Sequence, residues 1–354
     1  MKFVSILALA LMVNSASAET QTKSLHILAL TEGINTKLFE EFKTQTDVDI
    51  TFDNSSSPES FLVELDSPSQ NYDLIIAPDY MFTPALQSKV QKIDRTKIPN
   101  LKNIFAPLDV FLEPKDSYIS GIPVSVDIMG IVRSFPRDQK VNRQTIDSWD
   151  FLLRPEILRP YVKCGIYYPE SSALFRRTAT IAIKEAKQAR NDSSLSAAVN
   201  DLVTRSKIFR KKLSVEEHID AAANGRLCFS VTTLSQAKEI SKQSEIRGSK
   251  RAIFFDVPRW SLMTANYVAV LERSKKTDTA TQLMNFLLNP DVAKILTSQS
   301  GLVSTVLAND LYAAEASRGL AAASDFEKKR FFVSPIGSIG PVNRFDMLTF
   351  VRAR

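Results

Sequence analysis

Tyr118 to Ser134 reads YISGIPVSVDIMGIVRS. Ile122 to Val124 and Ile128 to Val132 are apolar runs of strand length, and Asp127 is the one acidic residue between them. Gly121, Pro123 and Gly130 interrupt the run where a bend or a close backbone approach is needed. Helix-and-strand alternation precedes the stretch and starts afresh after it, so the stretch reads as a strand carrying the chain out of one folded unit into another. On the residues alone two readings stand: a hinge between two lobes, or a core strand flanked by turns.

Working outward, the chain has 354 residues, enough for two domains that each bury a core. Met1 to Ala18 carries one lysine, a mostly apolar run from Phe3 to Val13, and Ala16-Ser17-Ala18, the three-part pattern of a cleaved export signal. The apolar run is too short for a transmembrane anchor. A mature chain beginning near Glu19 is expected in the periplasm. The formal net charge is +6, less one unit when Lys2 leaves. The basic residues are spread rather than gathered among aromatics, which points away from nucleic acid. Arg210-Lys211-Lys212 and Lys328-Lys329-Arg330 read mainly as solvated surface.

Cys164 and Cys228 are the two cysteines. In an oxidising compartment an even pair is more often bridged than free. A bridge here stabilises by about 3–5 kcal/mol in the chain-entropy account. Two buried thiols are the alternative. His26 and His218, the two histidines, stand at no ligand spacing from a cysteine, so no metal site is expected.

In chain order, Ser24 to Leu30, Val48 to Phe52 and Tyr72 to Pro78 read as strands. YDLIIAP is apolar enough to be covered on both faces. Helices fall between them, one capped by Asn35 and one over Pro58 to Leu65 capped by Ser57, and Met81 to Leu86 resumes helix. Thr31, Glu32, Asp79 and Tyr80 stand at carboxyl ends of strands, where open α/β sheets bind ligands. After the opening stretch, Asp147-Ser148-Trp149 begins a helical turn and Val162 to Tyr168 reads as a strand. Helices are expected over Ala173 to Arg190, Ser196 to Phe209, Val215 to Ala223 with a Ser214/Glu217 capping box, and Ser235 to Ser244. Strands are expected over Leu227 to Val231, Ala252 to Val257 and Asn266 to Leu271, the last returning the chain to the first lobe. Thr277 to Leu288 and Asp291 to Ser298 form a helix pair, Leu311 to Phe326 is helical, and a Gly/Pro-rich tail starts at Ser334.

No phosphate-cradling glycine loop, paired-histidine metal motif or nucleophile elbow occurs in the sequence. Neither histidine has a nucleophile motif beside it, so each reads as structural and the chain as a non-enzyme that requires no cofactor. An exported enzyme is the rival class.

The segments LHIL, YDLIIAP, SGIPVSVDIMGIV, IDSWDFLLRPE, VKCGI, ANGRLCFSV and MNFLLNPDVAKIL, in that order, resemble the periplasmic spermidine/putrescine-binding proteins, the solute receptors of polyamine ABC transporters. The resemblance covers almost the whole mature chain. It implies an α/β fold of periplasmic binding protein type II, two lobes with a ligand cleft between them and no catalysis. Lobe 1 is expected over residues 24–131 with 261–303, and lobe 2 over 132–260 with 304–354. It also implies a disulfide between Cys164 and Cys228, makes Gly121 to Arg133 the first crossing between lobes, and implies a monomer that delivers its ligand to a membrane ABC permease.

The family's ligand residues carry over in part. Its tryptophan, serine, aspartate and tyrosine after the first strand fall on Leu30, Thr31, Glu32 and Gly33, where Thr31 and Glu32 keep the chemistry. Its serine after the third strand falls on Pro78, beside Asp79 and Tyr80. Its ligand-stacking tryptophan and nearby aspartate fall on Thr233 and Gln236, a further aspartate on Asn266, and a late tyrosine near Leu302. A polyamine needs separated carboxylates and aromatic faces to offset its lost hydration. Thr31, Glu32, Asp79, Tyr80, Asp127, Thr233, Gln236, Asp256 and Asn266 are therefore the candidate contacts, with Trp260 and Tyr267 as further aromatics. The altered pocket keeps two alternatives open, a ligand-sensing subunit for a membrane receptor and a binder of a solute other than a polyamine.

Overall fold

The computed structural model describes residues 23–30, 36–112, 117–136, 146–153, 158–159, 161–169, 173–186, 192–206, 213–300, 302–306, 330–333 and 346–349. Thr31, Glu32, the export signal, the Leu311 to Phe326 segment and the start of the tail at Ser334 lie outside them.

Three parallel strands begin the fold: β1 (Lys23–Ala29), β2 (Val48–Asn54) and β3 (Leu74–Pro78), with β1 in the middle. Helix α1 (Thr36–Thr46) and helix α2 (Pro58–Leu65) connect them. All five residues of β3 are buried, as an apolar run covered on both faces requires. Ser57 caps α2 reciprocally with Ser60, and Pro58 occupies the first turn where its missing N–H costs nothing. A short 3₁₀ turn over Asp79–Met81 and helix α3 (Pro84–Gln87) follow β3. Then β4 (Ile93–Asp94) pairs with β5 (Tyr118–Ile119) at the surface.

The opening stretch forms β6 (Ile122–Pro136), a strand of 15 residues in which Asp127 and Pro136 alone retain appreciable exposure. Beyond it come β7 (Ile166–Tyr167), helices α4 (Ala173–Glu185), α5 (Asp192–Ser206) and α6 (Val215–Ala223), β8 (Phe229–Thr233), helix α7 (Leu234–Ile246) and β9 (Arg251–Asp256). The chain returns through β10 (Trp260–Val270) to helices α8 (Thr277–Leu287) and α9 (Pro290–Ser300) and to β11 (Val303–Ser304). Strands β12 (Arg330–Val333) and β13 (Asp346–Thr349) pair with each other, and β12 also pairs with the start of β10. Among the described residues no helix is long and apolar enough to cross a membrane.

The sheet order β2-β1-β3-β10-β6-β8-β7 runs without a break from one half of the molecule to the other. On one edge of β6, Ile122 to Ile128 pairs with β10 and Ile131 to Pro136 pairs with β9. On the other edge, Ser125 and Val126 pair with β11, and Met129 to Arg133 pairs with β8. One edge thus exchanges partners between Ile128 and Ile131, and the other between Val126 and Met129. The interruptions read from the sequence have distinct physical causes. Register slips by one residue opposite Asn266 and Tyr267, between Ser125 and Pro123, so the proline sits at a bulge rather than in a regular ladder. Gly130 admits close approach: a Cβ there would lie 2.4 Å from Phe255 and 2.8 Å from the Asp256 carbonyl oxygen.

Two apolar clusters flank this sheet. The larger joins β1, β3, α1 and α8 and continues beneath α6 and α7. The smaller packs Trp149, Phe151, Phe175, Ala179, Ile183, Phe229 and Leu262, so α4 covers the second half of the sheet on one face. The helix expected over Met81 to Leu86 is split into the Asp79–Met81 turn and α3, because Phe82 and Thr83 leave helical geometry, and two strands change length. The expected strand over Val162 to Tyr168 shrinks to Ile166–Tyr167, because the amides of Cys164 and Gly165 turn back onto the Tyr161 carbonyl. The expected Asn266 to Leu271 strand begins instead at Trp260, because β6 and β12 supply ladder partners for its first half.

Cys164 and Cys228 form a disulfide with Cα atoms 5.6 Å apart, tying the turn before β7 to the start of β8. Alkylation of the unfolded, unreduced protein is expected to leave both cysteines unmodified; mass spectrometry showing both labelled refutes the bridge.

Candidate functional site

The register places one set of polar residues where the two halves meet. Asn266 lies opposite Pro78 on β3 and opposite Ser125 on β6, and Thr264 lies opposite Asp127. The chain end of β3, carrying Asp79 and Tyr80, therefore meets the middle of β10 beside the point where β6 changes partners. Helices α4 and α7 approach the same place from the second half.

Asp79 is wholly buried and its Oδ1 accepts a hydrogen bond from Arg177 Nη1 on α4 at 3.1 Å. The Arg177 guanidinium also lies 5.8 Å from the centre of the Tyr80 ring, in cation–π range. Oδ2 of Asp79 has no hydrogen-bond partner. The Tyr80 and Ala265 amides favour its charged form without making a well-formed bond to that oxygen. Burial dominates and pushes the carboxyl up from 3.8 to about 6, against the opposing pull of Arg177.

Asp127 binds the first turn of α7: its Oδ1 accepts from the Ser235 amide at 3.1 Å, and its Oδ2 accepts from the Ser235 hydroxyl at 2.5 Å. It also accepts from the Ile128 amide at 2.9 Å. An anion is favoured at a helix N-terminus. Burial nonetheless raises its pKa, with these hydrogen bonds opposing. Thr233 is the N-cap of α7 and accepts from the Gln236 amide, while Gln236 Oε1 accepts from the Thr232 hydroxyl at 2.5 Å. The Asn266 side-chain amide donates to Ser125 Oγ at 3.0 Å.

Six of the nine candidate contacts thus gather at the junction: Asp79, Tyr80, Asp127, Thr233, Gln236 and Asn266. Asp256 stands apart from them. It forms a buried ion pair with Arg133, whose guanidinium lies 5.9 and 5.8 Å from the Phe135 and Phe254 ring centres. Its carboxylate is occupied by Arg133 through both oxygens. Thr31 and Glu32 lie outside the described residues. Tyr267 is fully buried, with its hydroxyl donating to the Phe111 carbonyl, and Trp260 packs on the smaller apolar cluster.

Arg177 and Ser235 carry no sequence signal of a place at the junction. Arg176 and Arg177 are adjacent and look alike, yet Arg176 reaches Asn200 on α5 while Arg177 reaches Asp79. In sequence Arg177 is only a cation set among the apolar positions of α4. Of the histidines, His218 is buried and stacked on Tyr167 with ring centres 3.9 Å apart, and burial pushes it down to about 3. His26 lies 2.9 Å from Asp53 on β2. Neither belongs to the junction. Among the described residues no cluster of histidine, cysteine, aspartate and glutamate is able to hold a metal ion.

Two predictions follow from the two aspartates. The native pKa of Asp79 exceeds its unfolded value, so the native state takes up the proton first. Its contribution to stability therefore rises as pH falls through about 6 and is fully present below 3.8. A carbon-13 carboxyl titration is expected to show a midpoint near pH 6 for Asp79, moving higher in R177M; a midpoint near 4, the ordinary aspartate value, refutes the burial. For Asp256, D256N leaves Arg133 charged and buried, and urea denaturation is expected to show a loss of about 3–5 kcal/mol.

No protein-family model matches the chain. It is 22% identical over 324 residues to the putrescine-binding periplasmic protein SpuD of Pseudomonas aeruginosa, covering 87% of this chain and 88% of that protein. The structure of the spermidine/putrescine ABC transporter substrate-binding protein PotD from Streptococcus pneumoniae superposes with a TM-score of 0.64 at 18% identity, covering 82% of this chain and 85% of that one. A ferric binding protein from Campylobacter jejuni superposes with a TM-score of 0.58 at 16% identity, covering 79% of this chain and 86% of that one. The fold is thus shared by proteins whose ligands differ in chemistry. The chain has a fold resembling that of the periplasmic binding proteins, with two α/β lobes, and its sequence is similar over most of its length to a putrescine-binding one.

Proposed function

We propose that the protein is a periplasmic solute receptor that captures a small amine of the polyamine class between its lobes and hands it to a membrane ABC permease. The observation that carries this reading is the convergence of polar groups from both halves on β6 and β10: Asp79 and Tyr80 from one, Arg177 and the start of α7 from the other. A ligand held there touches both lobes. Its affinity for the closed arrangement then exceeds that for the open one, which is what drives closure. Closing exchanges the ligand's hydration for carboxylate oxygens at Asp79 and Asp127 and for the Tyr80 face. No covalent step is involved, and the closed outline is what the permease recognises.

A specific observation favours a second reading in which the solute is not a polyamine. Asn266 pairs with Ser125 and Gln236 with Thr232, so these positions offer neutral hydrogen-bonding groups rather than carboxylates. Calorimetric titration with putrescine, spermidine, norspermidine and a mono-acylated diamine separates the two. Heat with at least one amine is expected; no heat from any of them at millimolar concentration sinks the amine reading. Mass spectrometry of small molecules retained by gently purified protein then names the solute without presupposing its class.

A further inference from the structure

Asp79 and Asp127 differ in what offsets their charge. The partner of Asp79 is a full cation, the guanidinium of Arg177, whose side chain is 12% exposed while that of Asp79 is 0% exposed. The partners of Asp127 are a hydroxyl and backbone amides. Among the described residues at the junction, Asp79 therefore already faces a cation within the protein, whereas Asp127 is met by hydrogen-bond donors alone. Counted across the sheet from β3 through β10 to β6, the two aspartates stand two strand spacings apart, about 10 Å between backbones.

A diamine with an ammonium at each end would bring its second cation onto Asp79, against a guanidinium already there. Like charges in a buried site repel strongly, because little solvent screens them. Moving Arg177 aside would strip a buried cation of its carboxylate and of the Tyr80 face. Asp79 Oδ2, however, is buried without a hydrogen-bond partner, a costly state for an acceptor, and beside Arg177 a neutral donor meets it without setting a second cation there. An amide N–H supplies such a donor.

We propose that Arg177 sets the charge of the ligand: it stands, from within the protein, in the place of one of the two ammonium groups of a diamine. The site then takes an amine with one cationic end, held at Asp127, and one uncharged hydrogen-bond-donating end, held at Asp79 Oδ2. Mono-acylated diamines have this chemistry. The inference rests on the amine reading above, and it makes Arg177 a specificity-determining residue.

Putrescine and N-acetylputrescine, which share a four-carbon stem, are the probes, titrated calorimetrically into the wild-type protein, R177Q and R177M. The wild type is expected to bind N-acetylputrescine at least tenfold more tightly than putrescine. Both variants are expected to reverse that order, since Asp79 is then open to a second ammonium. Two substitutions are used because one keeps polarity and the other keeps the stem's volume, so either one that folds by circular dichroism decides the matter. A wild type that prefers putrescine, or variants with the wild-type ratio, overturns the role of Arg177 and leaves the amine reading standing. Putrescine binding gained by a variant when the wild type binds neither probe supports Arg177 as the barrier and removes these diamines from the wild-type repertoire. Absence of binding of either probe to all three proteins overturns the role of Arg177, and the amine reading falls with it only if spermidine and norspermidine also give no heat.

Discussion

One strand is shared by two sheet halves, and everything else is placed by it. β6 runs unbroken for 15 residues while its neighbours change on both edges around Asp127 and Ile128. Backbone hydrogen bonds fix each half to β6 in a register that side chains cannot slip without turning buried faces outward. β10 repeats the arrangement beside it, pairing with β3 at its far end and with β12 at its start. The two halves are therefore coupled through continuous strands rather than through a flexible linker, and motion between them has to be accommodated at the partner exchange.

That exchange also explains where the polar residues lie. A strand buried on both faces has few positions at which a charge is tolerated. Asp127 pairs with β10 on one edge and sits in the gap between β11 and β8 on the other, where it meets the N-terminus of α7, whose unsatisfied amides favour an anion. Asp79 follows β3 at its carboxyl end, and its burial is tolerable because α4 brings Arg177 to it from the other half. Asp256 shows the contrasting solution. Its partner Arg133 belongs to the neighbouring strand of the same half, and the pair is sealed between two phenylalanine rings. One ion pair holds a lobe together; the other joins two lobes at the place where a ligand is proposed to sit.

The neutral pairs at the junction bear on ligand charge. Asn266 with Ser125, and Gln236 with Thr232, are hydrogen-bonded within the protein and carry no net charge. A site of this composition discriminates by donor and acceptor geometry more than by attraction, because a missing hydrogen bond to a buried polar group costs more than a misplaced methylene. The ferric-binding neighbour makes the wider lesson concrete: a shared scaffold does not name its ligand.

The sequence by itself determined the element succession, because that information is local. The apolar run YDLIIAP and the Ser57 and Ser214 caps are each set by the residue and its immediate neighbours. It also marked Asp79 and Tyr80, since ends of strands are readable positions, and Asp127 as the one charge in an apolar strand, while Thr233, Gln236 and Asn266 came from the resemblance to the polyamine receptors. Only the tertiary structure decided which carboxylates are already matched. Arg177 reaches Asp79 across 98 positions of chain, and Arg133 reaches Asp256 across 123. Neither separation leaves a local trace, because an arginine on a helix or strand looks the same in sequence whether its guanidinium meets water or a buried carboxylate from the other lobe. Charge at the junction is a property of folded neighbours, which is why the fold was legible in the chain and the pairing of its buried charges was not.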